Sequence, residues 1–87
     1  MRKITVTHRV ENIDNWIGYH DERVLLFSKV ATDLISYVDA EGSNNIAVSM
    51  TVTDPEGFDN LMKSVEIAEA RQRHGVLPPI IVFSAVS

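Results

Sequence analysis

Two stretches of strict alternation limit what this chain can fold into. Ile4, Val6, His8 and Val10 fall on one side of an extended segment, with Thr5, Thr7 and Arg9 on the other. Ile46, Val48, Met50 and Val52 likewise oppose Ala47, Ser49 and Thr51. A period of two rich in β-branched residues specifies strands with one buried face. Between these stretches the period changes. Asn12 can cap a helix, and Ile13, Trp16, Ile17, His20, Val24 and Phe27 follow at spacings of three and four. That spacing predicts one helix of about four turns. The charges at Asp14, Asp21, Glu22, Arg23 and Lys29 mostly fall off its apolar stripe. Asp33 reads as a polar break before a strand from Leu34 to Val38, and the run Asp39 to Asn45 reads as a turn that closes an antiparallel hairpin.

Asp54-Pro55-Glu56 is a strong helix start, with a capping carboxylate, a proline suited to the first helical position and an acid at the positive end of the dipole. Phe58, Leu61, Met62, Val65 and Ala68 continue one apolar face, with Ile67 and Ala70 beside it, and Gly75 serves as the C-terminal cap after His74. Pro78-Pro79 stiffens the lead into a last strand, Ile80 to Val86. The element order is therefore βαββαβ. It predicts a ferredoxin-like α+β fold, an antiparallel four-stranded sheet with two helices on one face, in a single domain spanning residues 1–87. Apart from Arg9, the opposite faces of the first and third strands carry small residues and threonines. Such a face can stack on another sheet, which predicts a homodimer through the sheet.

Bulk properties narrow the partners. A chain of 87 residues buries only roughly 60–65% of its unfolded surface, a size at which a partner subunit often adds stability. With no cysteine, disulfides and thiolate metal sites are excluded, and a reducing, cytoplasmic setting is expected. A net charge of −4 argues against nucleic acid. Strand three also lacks the aromatic and basic residues of an RNA-recognition sheet. The longest uncharged stretch, Gly75 to Ser87, is broken by two prolines and falls short of the ~20 residues of a membrane span. Met1-Arg2-Lys3 is basic, but no continuous apolar signal core follows it, so a soluble, unprocessed protein is expected.

Several short motifs carry a resemblance along nearly the whole chain. They are His8-Arg9-Val10 leading to Asn12, Trp16, Asp21-Glu22, the helix start Asp54-Pro55-Glu56-Gly57-Phe58, and the ending His74-Gly75-Val76-Leu77-Pro78-Pro79. In these the chain resembles the dimeric α+β barrel superfamily, and within it the small domains similar to antibiotic-biosynthesis monooxygenases and cyclases. The resemblance implies homodimers whose sheets face each other as a barrel, and a pocket between sheet and helices for an aromatic or polyketide-like ligand. It implies cofactor-independent chemistry such as quinol oxygenation or ring closure. Haem breakdown is not implied, because the first strand offers no asparagine and the third no tryptophan.

Five residues are candidates for the site. His8, in phase with Ile4 and Val6, is either a core-edge histidine satisfied by backbone or a pocket base. His20 lies on the first helical stripe and either borders solvent or shares one cavity with His8. Together they are the catalytic candidates. Trp16 is a core anchor or a ligand donor through its indole N–H, and Tyr19 beside it is an amphipathic boundary residue or a ligand contact. His74 is a solvated C-terminal helix residue, flanked by Arg71 and Arg73, or a third ligand contact. No His-x-x-x-His pair is present, so no metal is expected, and the resemblance implies chemistry without a cofactor. Two functions compete: a small cofactor-independent enzyme with a cavity lined by His8, Trp16 and His20, and a non-catalytic dimeric binding or structural module with a filled core.

Overall fold

The computed structural model describes residues 2–87; Met1, counted above with the basic start, lies outside them. The strands are β1 Arg2–Val10, β2 Ala31–Val38, β3 Asn45–Val52 and β4 Val76–Ser84. The helices are α1 Ile13–Gly18, α2 His20–Phe27, α3 Pro55–Met62 and α4 Val65–His74. The sheet order is β2-β3-β1-β4 with every neighbouring pair antiparallel. This is the ferredoxin-like α+β arrangement, with the two long helices each divided in two.

Each division has a local cause. The first comes after Gly18, a poor helix former, where Tyr19 takes φ −96° and ψ 11° and ends α1. The second comes at Ser64, whose hydroxyl accepts from the Ile67 amide at 3.2 Å and so begins a new helix. Both divisions change which residues face the sheet: Val65, read above as part of an apolar face, is 72% exposed and Ala68 is exposed, whereas Ile67 and Ala70 are buried. Ile17 and Val24, read above as part of the buried stripe, are 48% and 40% exposed, whereas Arg23 is buried. The spacing Ile13, Trp16, Tyr19–His20, Arg23, Phe27 is the helical face that the fold uses.

Every strand starts earlier than its sequence suggested, β2 and β4 by several residues, and β4 ends at Ser84, short of Val86. Asp33 does not break β2; it bulges it. Its φ of 56° lies in the left-handed region, and the β2–β3 register shifts between Thr32 and Ile35. Val30 and Ala31 ahead of it are buried and tie the strand down. β4 likewise begins at Val76. Arg9 pairs with Leu77 and Thr7 with Ile81, so the ladder slips beside His8, where Pro78 and Pro79 have no amide to donate.

The core lies between one sheet face and the helices. Ile4, Val6, Val10, Ile46, Val48, Met50 and Val52 form its floor, and Trp16, Phe58, Ile67 and Ala70 its roof. Phe27 and Phe58, with ring centroids 5.9 Å apart, join α2 to α3. The α3 start combines two constraints. Asp54 accepts from the Gly57 amide at 3.0 Å, and a Cβ on Gly57 would lie 2.9 Å from Val30 Cγ1 as well as against the Asp54 carboxylate. Gly57→Ala therefore is expected to lower stability by about 1–2 kcal/mol, although alanine favours a helix interior by about 1 kcal/mol. Urea unfolding checks this, and an unchanged or raised midpoint would show that the cap and Val30 relax freely.

Candidate functional site

A cavity of about 80 Å³ lies between the sheet and all four helices. Most of its wall is aliphatic or aromatic, but four titratable side chains reach it: His8 from β1, Arg23 from α2, and Arg71 and His74 from α4. The wall contains no carboxylate among the described residues.

Arg23 is the residue on which the site is built. It is only 5% exposed, and its guanidinium carbon sits 4.0 Å from the centre of the Trp16 ring. Stacking of this kind is worth on the order of 1–2 kcal/mol when desolvated. Nη2 donates to the Ser36 hydroxyl at 3.2 Å, and Nη1 makes a long 3.5 Å contact to His74 Nδ1. Nε is buried without a partner. The ion pairs among the described residues all go to Glu22, from Arg73 and His74, and none reaches Arg23. Burial draws Arg23 down to about 10, partly opposed by Glu22, so it remains a cation at neutral pH. A charge two turns from Trp16 on the same helical face was visible in the sequence, but charge alone placed it on the outside.

His74 does not lie on a solvated face. It is 3% exposed, and the Tyr19 ring stacks on it with centroids 4.5 Å apart and planes at 17°. Its Nε2 lies 3.2 Å from Glu22 Oε1, which accepts, so the neutral ring carries its proton there and turns the Nδ1 lone pair toward Arg23. Burial first, and Arg23 among the charges, hold His74 below its ordinary value despite Glu22. Arg73, with His74, holds the Glu22 carboxyl below its own. Gly75 closes α4 at φ 69°, which sets His74 as the last helical residue.

His8 is half-buried at the cavity wall. Its Nδ1 lies 2.9 Å from the Arg9 carbonyl oxygen, which can only accept. The proton therefore sits on Nδ1, and Nε2 keeps a free lone pair. Desolvation holds His8 below its usual value, with Arg23 and Arg71 adding to the effect. His20 does not share this cavity. Its Nδ1 is 2.8 Å from Ser36 Oγ, and Ser36, which accepts from Arg23, can donate its hydroxyl hydrogen bond to His20. Of the five sequence candidates, the fold brings His8, Trp16 and His74 to the cavity; Tyr19 and His20 stand one shell behind. The residues missed by sequence reasoning are Arg23, Arg71 and Ser36. No helix is long and apolar enough to cross a membrane, and among the described residues no three acidic or histidine side chains gather in a metal-holding group.

The opposite sheet face is open. Across it run two rows, Ile35–Ser49–Thr5–Phe83 and Tyr37–Ala47–Thr7–Ile81, with apolar residues on the edge strands and small ones between. The four apolar ends are 45–56% exposed. They border two open depressions of about 430 and 380 Å³.

This ferredoxin-like α+β fold, with sheet order β2-β3-β1-β4, is similar to that of solved antibiotic biosynthesis monooxygenases. SnoaB, a cofactor-independent oxygenase from Streptomyces nogalater, superimposes with a TM-score of 0.73 over 100% of this chain and 96% of its own, at 10% identity. An antibiotic biosynthesis monooxygenase matches with a TM-score of 0.65 over 100% and 98% at 10% identity. A conserved protein from Methanosarcina mazei gives 0.71 over 97% and 89% at 11% identity. No protein-family model and no curated protein sequence matches the chain. At these identities the likeness shows the fold and leaves the reaction to the residues.

Both cavity histidines have folded values below the 6.5 of a free imidazole. The native state thus binds fewer protons than the unfolded chain, so their stabilising effect is complete above about pH 6.5 and is lost as pH falls through the lower folded values. The thermal midpoint is expected to drop between about pH 7 and pH 5, and His74→Gln to flatten that drop. An equally steep drop in the variant would assign the effect elsewhere.

Proposed function

We propose that this chain, acting as one domain, is a cytoplasmic homodimeric small-molecule-binding protein that works as a cofactor-independent monooxygenase on a single-ring phenol or enol. The observation that carries the reading is the convergence of a free His8 Nε2 and a buried cation, Arg23, on one apolar cavity. SnoaB, similar in fold, is a cofactor-independent oxygenase, which supports the same class of chemistry. The cavity of about 80 Å³ is too small for a fused polyketide and takes one ring only where a flexible wall residue such as Met62 shifts, since benzene occupies a cavity of about 150 Å³.

The chemistry follows from the residues. His8 Nε2, neutral because it is desolvated, takes the hydroxyl proton of the substrate. The positive field of Arg23 and Arg71 stabilises the resulting ring anion. That anion is electron-rich enough to react with dioxygen. One oxygen atom becomes a ring carbonyl, and the other leaves as water with the hydroxyl hydrogen and the ring hydrogen. Oxygen uptake with a panel of single-ring phenols tests this. His8→Gln is expected to lower kcat by at least about 100-fold with KM little changed. Absence of uptake with every phenol, or a fully active His8→Gln protein, would overturn it.

The small cavity also favours a second reading, a non-catalytic homodimeric binding or structural module. In that case His8→Gln alters stability and no turnover. Both readings place a second copy on the open sheet face, where Ile35, Tyr37, Ile81 and Phe83 are exposed. Phe83→Glu is expected to convert a dimer into a monomer at about micromolar concentration, as read by sedimentation equilibrium. A wild type that is monomeric throughout would remove the dimer from both.

A further inference from the structure

From the imbalance of charge around the cavity we infer that its ligand is a small organic monocarboxylate, held by its carboxylate against Arg23. The inference rests on the small-molecule reading above and names the substrate class for the same site.

The chain as a whole carries a net charge of −4, yet two arginines, Arg23 and Arg71, line the cavity and no acidic residue does among the described residues. The protein does have an acid close by. Glu22 is adjacent to Arg23 in sequence, but its Oε1 pairs with Arg73 and His74 and it makes no ion pair with Arg23. Arg23 is left with a ring face, a hydroxyl and a neutral imidazole nitrogen. None of these carries a negative charge. A guanidinium only 5% exposed, with Nε unpartnered, is a costly arrangement for a small domain unless something completes it.

The three neighbours also hold the guanidinium still. Trp16 fixes its plane, Ser36 takes Nη2 and His74 faces Nη1, so the side chain is pinned by α1, β2 and α4 at once. Such a group loses little rotamer freedom when an anion arrives. A phenolate formed during turnover would be a transient partner, whereas a carboxylate on the ligand neutralises the site throughout. With the acid on Arg23, the aliphatic wall takes the apolar body, and a hydroxyl on that body can face His8. The volume of about 80 Å³ admits a short-chain acid directly, and a benzoate-sized acid where a flexible wall residue such as Met62 shifts.

The test compares isosteres on the unmodified protein. Trp16 is the only tryptophan and touches Arg23, so its fluorescence reports occupancy. Benzoate is titrated against benzamide, and butyrate against butyramide for a cavity that does not widen. The acid of a pair is expected to bind at least about tenfold more tightly than its amide. Arg23→Met should bring that ratio to about one, and Arg71→Met should reduce it less. Equal or tighter binding of the amides, no saturable binding of either acid, or a preference that survives Arg23→Met overturns the inference. The wild-type comparison decides the matter even where a variant does not fold. Phenol oxidation without acid preference would sink the carboxylate site and keep the oxygenase; acid preference without oxidation of any phenol would do the reverse.

Discussion

The stacking of the Arg23 guanidinium on Trp16 is the contact on which the rest of this molecule depends. It replaces what would be an apolar side chain at the middle of the helical layer, and it sets the neighbours' chemistry. Because Arg23 is charged, His74 turns a lone pair toward it and is held neutral, with its proton kept on the Glu22 side. Because Ser36 accepts from Arg23, its own hydroxyl proton is available to His20. One buried cation thus orders two histidines, a serine and a carboxylate drawn from three elements. The desolvation of that cation is offset by a π face and by dipoles, which are weaker partners than a carboxylate.

The two faces of the sheet serve different ends. The covered face holds the β-branched core and the polar cluster, in a space where water is largely excluded and every charge acts strongly. The open face has the composition of an interface, with apolar residues at its edges and small residues along its centre. A slip in the β1–β4 ladder lies beside His8, and that residue borders both the inner cavity and one depression of the open face. His8 is therefore the point where the polar cluster of the covered side meets the open face.

Most of the architecture could be read from local signals. Alternation in β1 and β3, the Asp54-Pro55 start and the Gly75 stop each report a backbone preference confined to a few neighbours, and each holds in the fold. The misread strand boundaries and buried polar residues share one cause, contacts that only the fold supplies, whereas the helix divisions at Gly18 and Ser64 have local causes. Asp33 and Pro78-Pro79 looked like boundaries because such residues disfavour a regular strand, yet pairing with β3 and β1 absorbs them as irregularities. Arg23 and His74 looked like surface residues because they are polar. Their positions on the helical period suit burial, and what makes that burial tolerable is a set of partners assembled by the fold, Trp16 and Ser36 for Arg23 and Glu22 for His74.

The sequence by itself determined the order of strands and helices, which face of β1 and β3 is covered, and that His8 and Trp16 point into the space between the layers. Those properties follow from periodicity and from caps, which act over one or two turns. The tertiary structure alone decided that Arg23 would be the buried cation, that His74 would join it, and that His20 would turn to Ser36 instead of the cavity. Burial of a charge depends on which groups from other elements arrive to hold it, and no local pattern encodes that arrival.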